Sequence, residues 1–201
     1  MTESFVRLAG WTAYVNAGIT IANIVTIMIF FAVGGFWGPL NDGISVLWGL
    51  SFIPLVMVLY RLNAPVNTQL SLLAAVIGTG AMITFAVLQT LLVLGQVSFE
   101  QTAAAILSLT GVLGISLVIN FLLARSGETL PAGLLWLTLA LGLGFIFGGI
   151  GFWAGGQQNP LAMVGFLITA VIGPVWAIWL GRLLLNGALF SQATFSSGGS
   201  I

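Results

Sequence analysis

The stretch Asn41–Leu62, NDGISVLWGLSFIPLVMVLYRL, carries one charge near each end, Asp42 and Arg61, and none between them. From Asp42 to Arg61 is about 19 residues, or about 28 Å of helix, against a bilayer hydrocarbon core of about 30 Å. The two charges mark the ends of one membrane crossing. On this reading Asp42 opens the helix, where a carboxylate caps free amides and favours the positive end of the helix dipole. The preceding GGFWGP, residues 34–39, supplies the turn.

The same pattern extends outward over the chain. Of 201 residues 59% are hydrophobic and only eight are charged: Glu3, Arg7, Asp42, Arg61, Glu100, Arg125, Glu128 and Arg182. A soluble domain carries about 25% charged residues, so this is a membrane composition. The uncharged runs 8–41, 43–60, 62–99, 101–124 and 129–181 predict an all-α, polytopic protein with six transmembrane helices. Their expected positions are 10–34, 42–60, 69–95, 100–124, 131–153 and 160–184, in one domain over 1–201 with a short polar tail over 185–201. Local signals support the starts: SFEQ (98–101) has the capping-box form, while Thr129 before Pro131 and Asn159 before Pro160 are common helix openings. The first span is too long for a signal peptide, carries Asn16 and Asn23, and lacks a small-x-small cleavage site.

Six spans place both termini on one side, together with Arg7, Arg61, Arg125 and Arg182, and place Asp42 and Glu100 on the other. The positive-inside rule then predicts an inner (plasma) membrane protein with both termini cytoplasmic. Trp11, Tyr60, Trp136 and Trp179 fall near the inner interface, Trp37 and Trp153 near the outer one, and Trp48 and Trp176 deeper.

Several chemistries are excluded by what is missing. The chain has no cysteine, histidine or lysine, which removes disulfides, thiolate sites, the usual haem ligand and a Schiff-base lysine. No ionisable residue lies mid-span, where proton-coupled transporters and intramembrane proteases typically need one. No acid–base pair is visible, so the chain does not read as an enzyme. No cofactor or metal is expected, and with zero net charge and no basic run nucleic acid is not an expected partner. The expected partners are the lipid bilayer and a second membrane protein or a second copy of this chain.

Two patterns bear on packing or binding. On helix one, Thr12, Asn16, Thr20, Asn23 and Thr26 fall within an arc of roughly 120° at about 100° per residue. This stripe should face the interior, either lining a ligand cavity or making interhelical hydrogen bonds, with Asn120 and Ser116 on helix four and Gln89 and Thr90 on helix three as candidate partners. Asn16, Thr20, Asn23 and Asn120 are the candidate ligand-binding residues. On helix five, Gly144, Gly148, Gly151 and Gly155 form a flat face for close helix packing, and a homodimer through that face would fit a structural role.

Residues 34–62 and 155–183 share seven identities without gaps, aligning Arg61 with Arg182. Pro54 and Pro174 miss alignment by one residue, and each frees a carbonyl one turn earlier, near Leu50 and Ala170. The match is either a parallel internal repeat or a chance of glycine- and proline-rich composition. Paired proline-interrupted helices are one pointer to a transporter site.

The segment VRLAGWTAYVNAGITIANIVTIMIFFAVGG, continued by LNDGISVLWGLSFIPLVMVLYRL, resembles a bacterial family of six-helix integral membrane proteins known only as a domain of unknown function. The points of similarity are Arg7-Leu8-Ala9-Gly10 before helix one, an acidic residue opening helix two and Tyr60-Arg61-Leu62 closing it. The resemblance implies a compact six-helix bundle and supplies no activity, so no catalytic residue is carried over. The expected function is a non-catalytic membrane protein that packs with membrane partners or binds a small apolar ligand or lipid. The alternative is a uniporter, or a substrate-binding membrane subunit of a transporter, built on proline-broken helices two and six.

Overall fold

A computed structural model describes residues 2–189, and the predicted polar tail lies outside the described residues from 190 onward. Six α-helices follow one another: α1 (Glu3–Val33), α2 (Trp37–Asn63), α3 (Thr68–Val93), α4 (Phe99–Gly127), α5 (Ala132–Gly155) and α6 (Pro160–Leu185). A single 3-10 turn, Gly156–Gln158, joins the last two. All six are long and apolar enough to cross a membrane. At 27 residues α2 measures about 40 Å, longer than the hydrocarbon core of a bilayer at about 30 Å.

The ends follow local chemistry. Ser98 accepts from the Gln101 amide while the Gln101 side chain accepts from the Ser98 amide, completing the capping box of α4. Asn159 caps α6 by accepting from the Leu161 amide, with Pro160 at the first helical position. Asn67 caps α3 through the Leu70 amide. Gly34 and Gly35 (φ 69° and 67°) end α1 in a conformation that a side chain would strain.

Asp42 departs from expectation. The second helix opens at Trp37, not at Asp42, because Pro39 sits in its first turn, where a missing amide breaks no bond. Asp42 therefore lies inside the helix, half-buried, and caps nothing. Thr129 likewise does not cap α5, whose N-cap position is Pro131. Nor are the second and sixth helices broken: α2 and α6 run continuously through Pro54 and Pro174.

Each helix packs against its neighbours in sequence, and α6 returns to close on α1. The result is a ring of antiparallel helices with both described ends of the chain side by side, Gly10 facing Leu185 and Gly181. α1 is the most peripheral helix; half of the most apolar stretch of α2 and of α4 is buried, against 17% for α1. Large apolar side chains such as Met28, Phe31, Trp153 and Leu167 are exposed around the outside, as a lipid-facing girdle requires.

Backbone-to-backbone approach holds the α4–α5–α6 side together. A Cβ on Gly165 of α6 would meet the Gly148 amide and lie 2.6 Å from the Gly144 carbonyl oxygen, and one on Gly151 would meet the Ala162 backbone. On the other flank of α5, a Cβ on Gly114 of α4 would lie 2.5 Å from the Gly142 carbonyl oxygen, and Gly149 approaches Leu107 and Gly111. Gly144, Gly148 and Gly151 are thus covered by α6 of the same chain, and Gly155 abuts Asn159. The face reads as a helix-packing surface, and α6 of the same chain takes it.

The two hairpins α1–α2 and α5–α6 share a turn. Gly34 (φ 69°, ψ −152°) and Gly156 (φ 73°, ψ −162°) each end a helix and donate to a carbonyl four residues back. The gapless sequence match instead pairs Gly34 with Gly155, so the turn geometry recurs one residue out of register.

These contacts predict a sharp contrast among glycines. Gly165→Ala must push α5 and α6 apart and should cost about 1–3 kcal/mol. Gly18→Ala and Gly80→Ala, whose added methyls meet nothing within 4 Å, should be neutral or stabilising by up to about 1 kcal/mol. Unfolding in mixed detergent micelles measures both, and equal effects would refute the packing argument.

Candidate functional site

The polar stripe of α1 faces α2 and is spent on it. Asn16 Nδ2 donates to Ser51 Oγ at 2.7 Å, and Ser51 Oγ in turn donates to the Trp48 carbonyl at 2.8 Å. Trp48 Nε1 donates to Thr20 Oγ1 at 3.1 Å. Ser45 Oγ reaches Asn23 Oδ1 at 3.5 Å, and Thr26 Oγ1 donates to Asn41 Oδ1 at 2.8 Å. From rung to rung α1 advances by four, three and three residues while α2 retreats by three, three and four. This is the contact period of two antiparallel helices in continuous register. Thr12, the fifth member, bonds only to the Leu8 carbonyl of its own helix.

Asn120 does not join this ladder. It belongs to a second cluster toward the end of the bundle that holds both termini. Asn63 Nδ2 donates to Asn120 Oδ1 at 2.9 Å, and Thr129 Oγ1 donates to Asn63 Oδ1 at 2.7 Å. Asn120 Nδ2 donates to the Ser116 carbonyl, while Ser116 Oγ donates to the Ala74 carbonyl of α3 at 2.7 Å. Asn63, fully buried, thereby ties α2 to α4 and to the loop before α5. Neither Asn63 nor Thr129 was expected here from sequence, since both stand next to turns. Gln89 and Thr90 do not serve the stripe either: Thr90 bonds to the Ala86 carbonyl within α3, and Gln89 Oε1 is buried without a partner.

The centre of the ring is filled by rings. Trp48 contacts Phe52, Phe85 and Phe145 at centroid distances of 4.8, 5.3 and 5.8 Å, and Phe52 stacks on Trp176 at 6.1 Å with planes 10° apart. Trp176 Nε1 donates to Thr138 Oγ1 at 2.9 Å, repeating between α6 and α5 the Trp48–Thr20 pairing between α2 and α1. Aromatic side chains from four helices close the axis, with each buried indole N–H satisfied by a threonine.

Open space lies elsewhere. At the end holding both termini a cleft of about 1230 Å³ is lined by Arg7 and Trp11 of α1, Arg61 of α2, Pro65 and Thr68 after it, and Leu185 beyond. A smaller cavity of about 470 Å³, lined by Thr2, Phe5, Met57 and Arg61, adjoins it. No family model matches the chain, and neither the curated proteins nor the solved structures yield a match.

Removing one rung of the ladder and removing the hub of the second cluster should differ. Asn16→Leu leaves Ser51 bonded to Trp48 and should cost about 0.6 kcal/mol, one interhelical hydrogen bond. Asn63→Ala strands Asn120 Oδ1 in a buried site, removes the acceptor of the half-buried Thr129 Oγ1, and should cost about 2 kcal/mol or more. Unfolding of the two variants under identical detergent conditions gives the comparison; an Asn16 effect equal to that of Asn63 would contradict it.

Proposed function

We propose that this chain is a non-catalytic, multi-pass protein of the bacterial inner membrane, with both termini cytoplasmic, that works through lipids and membrane partners at its surface. The observation that carries this reading is how the interior is used. The polar groups of α1 that could have lined a cavity are consumed by α2, and aromatic side chains occupy the axis where a solute path would run. Asn16, Thr20, Asn23 and Asn120 then act as interhelical hydrogen-bonding groups rather than as a ligand site.

The side assignment rests on charge. Arg7, Arg61, Arg125 and Arg182 all stand at the end of the bundle that holds the termini, with Asp42 and Glu100 at the other. A uniporter or transporter subunit draws no support from α2 and α6, which pass Pro54 and Pro174 without unwinding. The resemblance of residues 6–62 to a bacterial six-helix family is consistent with this reading and adds no activity to it.

Reconstitution tests it. Proteoliposomes of the purified chain should show no flux of monovalent ions, sugars or amino acids above protein-free vesicles. Saturable, protein-dependent uptake of any of these solutes would overturn the proposal and favour a transporter.

A further inference from the structure

We propose that the cleft between α1, α2 and α6 is a binding site for the head group of an anionic glycerophospholipid. The inference rests on the reading of a bundle that works at its surface, and it names one ligand and one place. Two guanidinium groups, Arg7 and Arg61, and one carboxylate, Glu3, line the cleft. Their balance is a single positive charge, which matches the single negative charge of a phosphodiester.

Neither guanidinium takes part in a hydrogen bond or ion pair among the described residues; Arg61 instead lies 5.5 Å from the centroid of the Tyr60 ring. A guanidinium offers its donors in a planar fork that suits phosphate oxygens, and both forks are available here. Thr68 and Asn186 add neutral hydrogen-bonding groups to the wall, and Glu3 can accept from head-group hydroxyls.

The surroundings select a lipid over a dissolved anion. Val6, Leu184 and Leu185 supply apolar wall, and Trp11, 60% exposed, stands one α1 turn from Arg7. Indole at the head-group level and arginine at a helix end together mark the membrane–water boundary. Arg61 is shared with the adjoining cavity, whose other walls include Phe5 and Met57, so apolar space continues from the cationic site. Basic pockets between transmembrane helices on the cytoplasmic side are a known geometry for anionic lipid head groups. Arg125 and Arg182 stand at the same end of the bundle but do not line either cavity.

The test is a thermal-unfolding titration of the full chain in mild detergent. Phosphatidylglycerol should raise the midpoint by about 5 °C at saturation. Phosphatidylcholine and inorganic phosphate should leave it unchanged. Arg7→Gln with Arg61→Gln should weaken the phosphatidylglycerol effect at least tenfold, while Arg125→Gln retains it. Equal loss in Arg125→Gln would mean diffuse surface charge and overturn the site, as would no response of the wild-type chain. A matching response to inorganic phosphate would overturn the lipid assignment. If the double variant fails to fold, Arg7→Lys with Arg61→Lys, which keeps charge and loses the fork, should bind more weakly than wild type and more strongly than no site at all; unchanged affinity would refute the guanidinium geometry. Lipid failure with no solute flux leaves the surface-acting reading intact, whereas solute flux removes that reading whatever the lipid result.

Discussion

Helices surrounded by hydrocarbon gain nothing from burying apolar area against one another, because lipid is as apolar as the neighbouring helix. Association then depends on close backbone approach and on interhelical hydrogen bonds, and this chain divides the two around its ring. On the α4–α5–α6 side, glycines on both flanks of α5 let backbone meet backbone, and side-chain hydrogen bonds are few. On the α1–α2 side, four polar rungs connect the helices. α1 buries least of all six helices, and it is held by these directional contacts to α2 and by the close approach of Gly10 and Gly181 to α6.

The same economy shapes the centre. A ring of six helices leaves an axial space that must be filled by side chains or by water. Trp48, Phe52, Phe85, Phe145 and Trp176 fill it, and the two indole N–H groups find Thr20 and Thr138. Threonine suits this role because its hydroxyl accepts from the indole while its own proton goes to a carbonyl of the same helix, as Thr20 does with Asn16 and Thr138 with Leu134. No polar atom of either pair is left over for a solute.

With its interior committed, the molecule presents chemistry at its rim. The arginines gather at the end where the chain both enters and leaves, and two of them face a cleft with apolar walls. Leu189, after the turn at Gly187, packs into the hydrophobic core at that end. Function, on this reading, resides where the bundle meets the head-group layer.

The six long apolar helices were legible in the sequence, because membrane thickness sets the length of a span and charge is costly inside it, so long uncharged runs read as helices of that length. Helix starts were legible where a side chain caps locally, at Ser98 and Asn159, and misplaced where none does, at Trp37. The α1 stripe could be read from one helix, and its counterpart Asn41, Ser45, Trp48 and Ser51 has the same period, though nothing in either helix says that they face each other. Partner choice belongs to tertiary structure: it put Asn120 with Asn63 and Thr129 rather than with the stripe, and it covered the glycine face of α5 with α6. Sequence determined which groups could not face lipid; only the closed ring decided which neighbours they would meet, because a helix surface specifies a face and not its occupant.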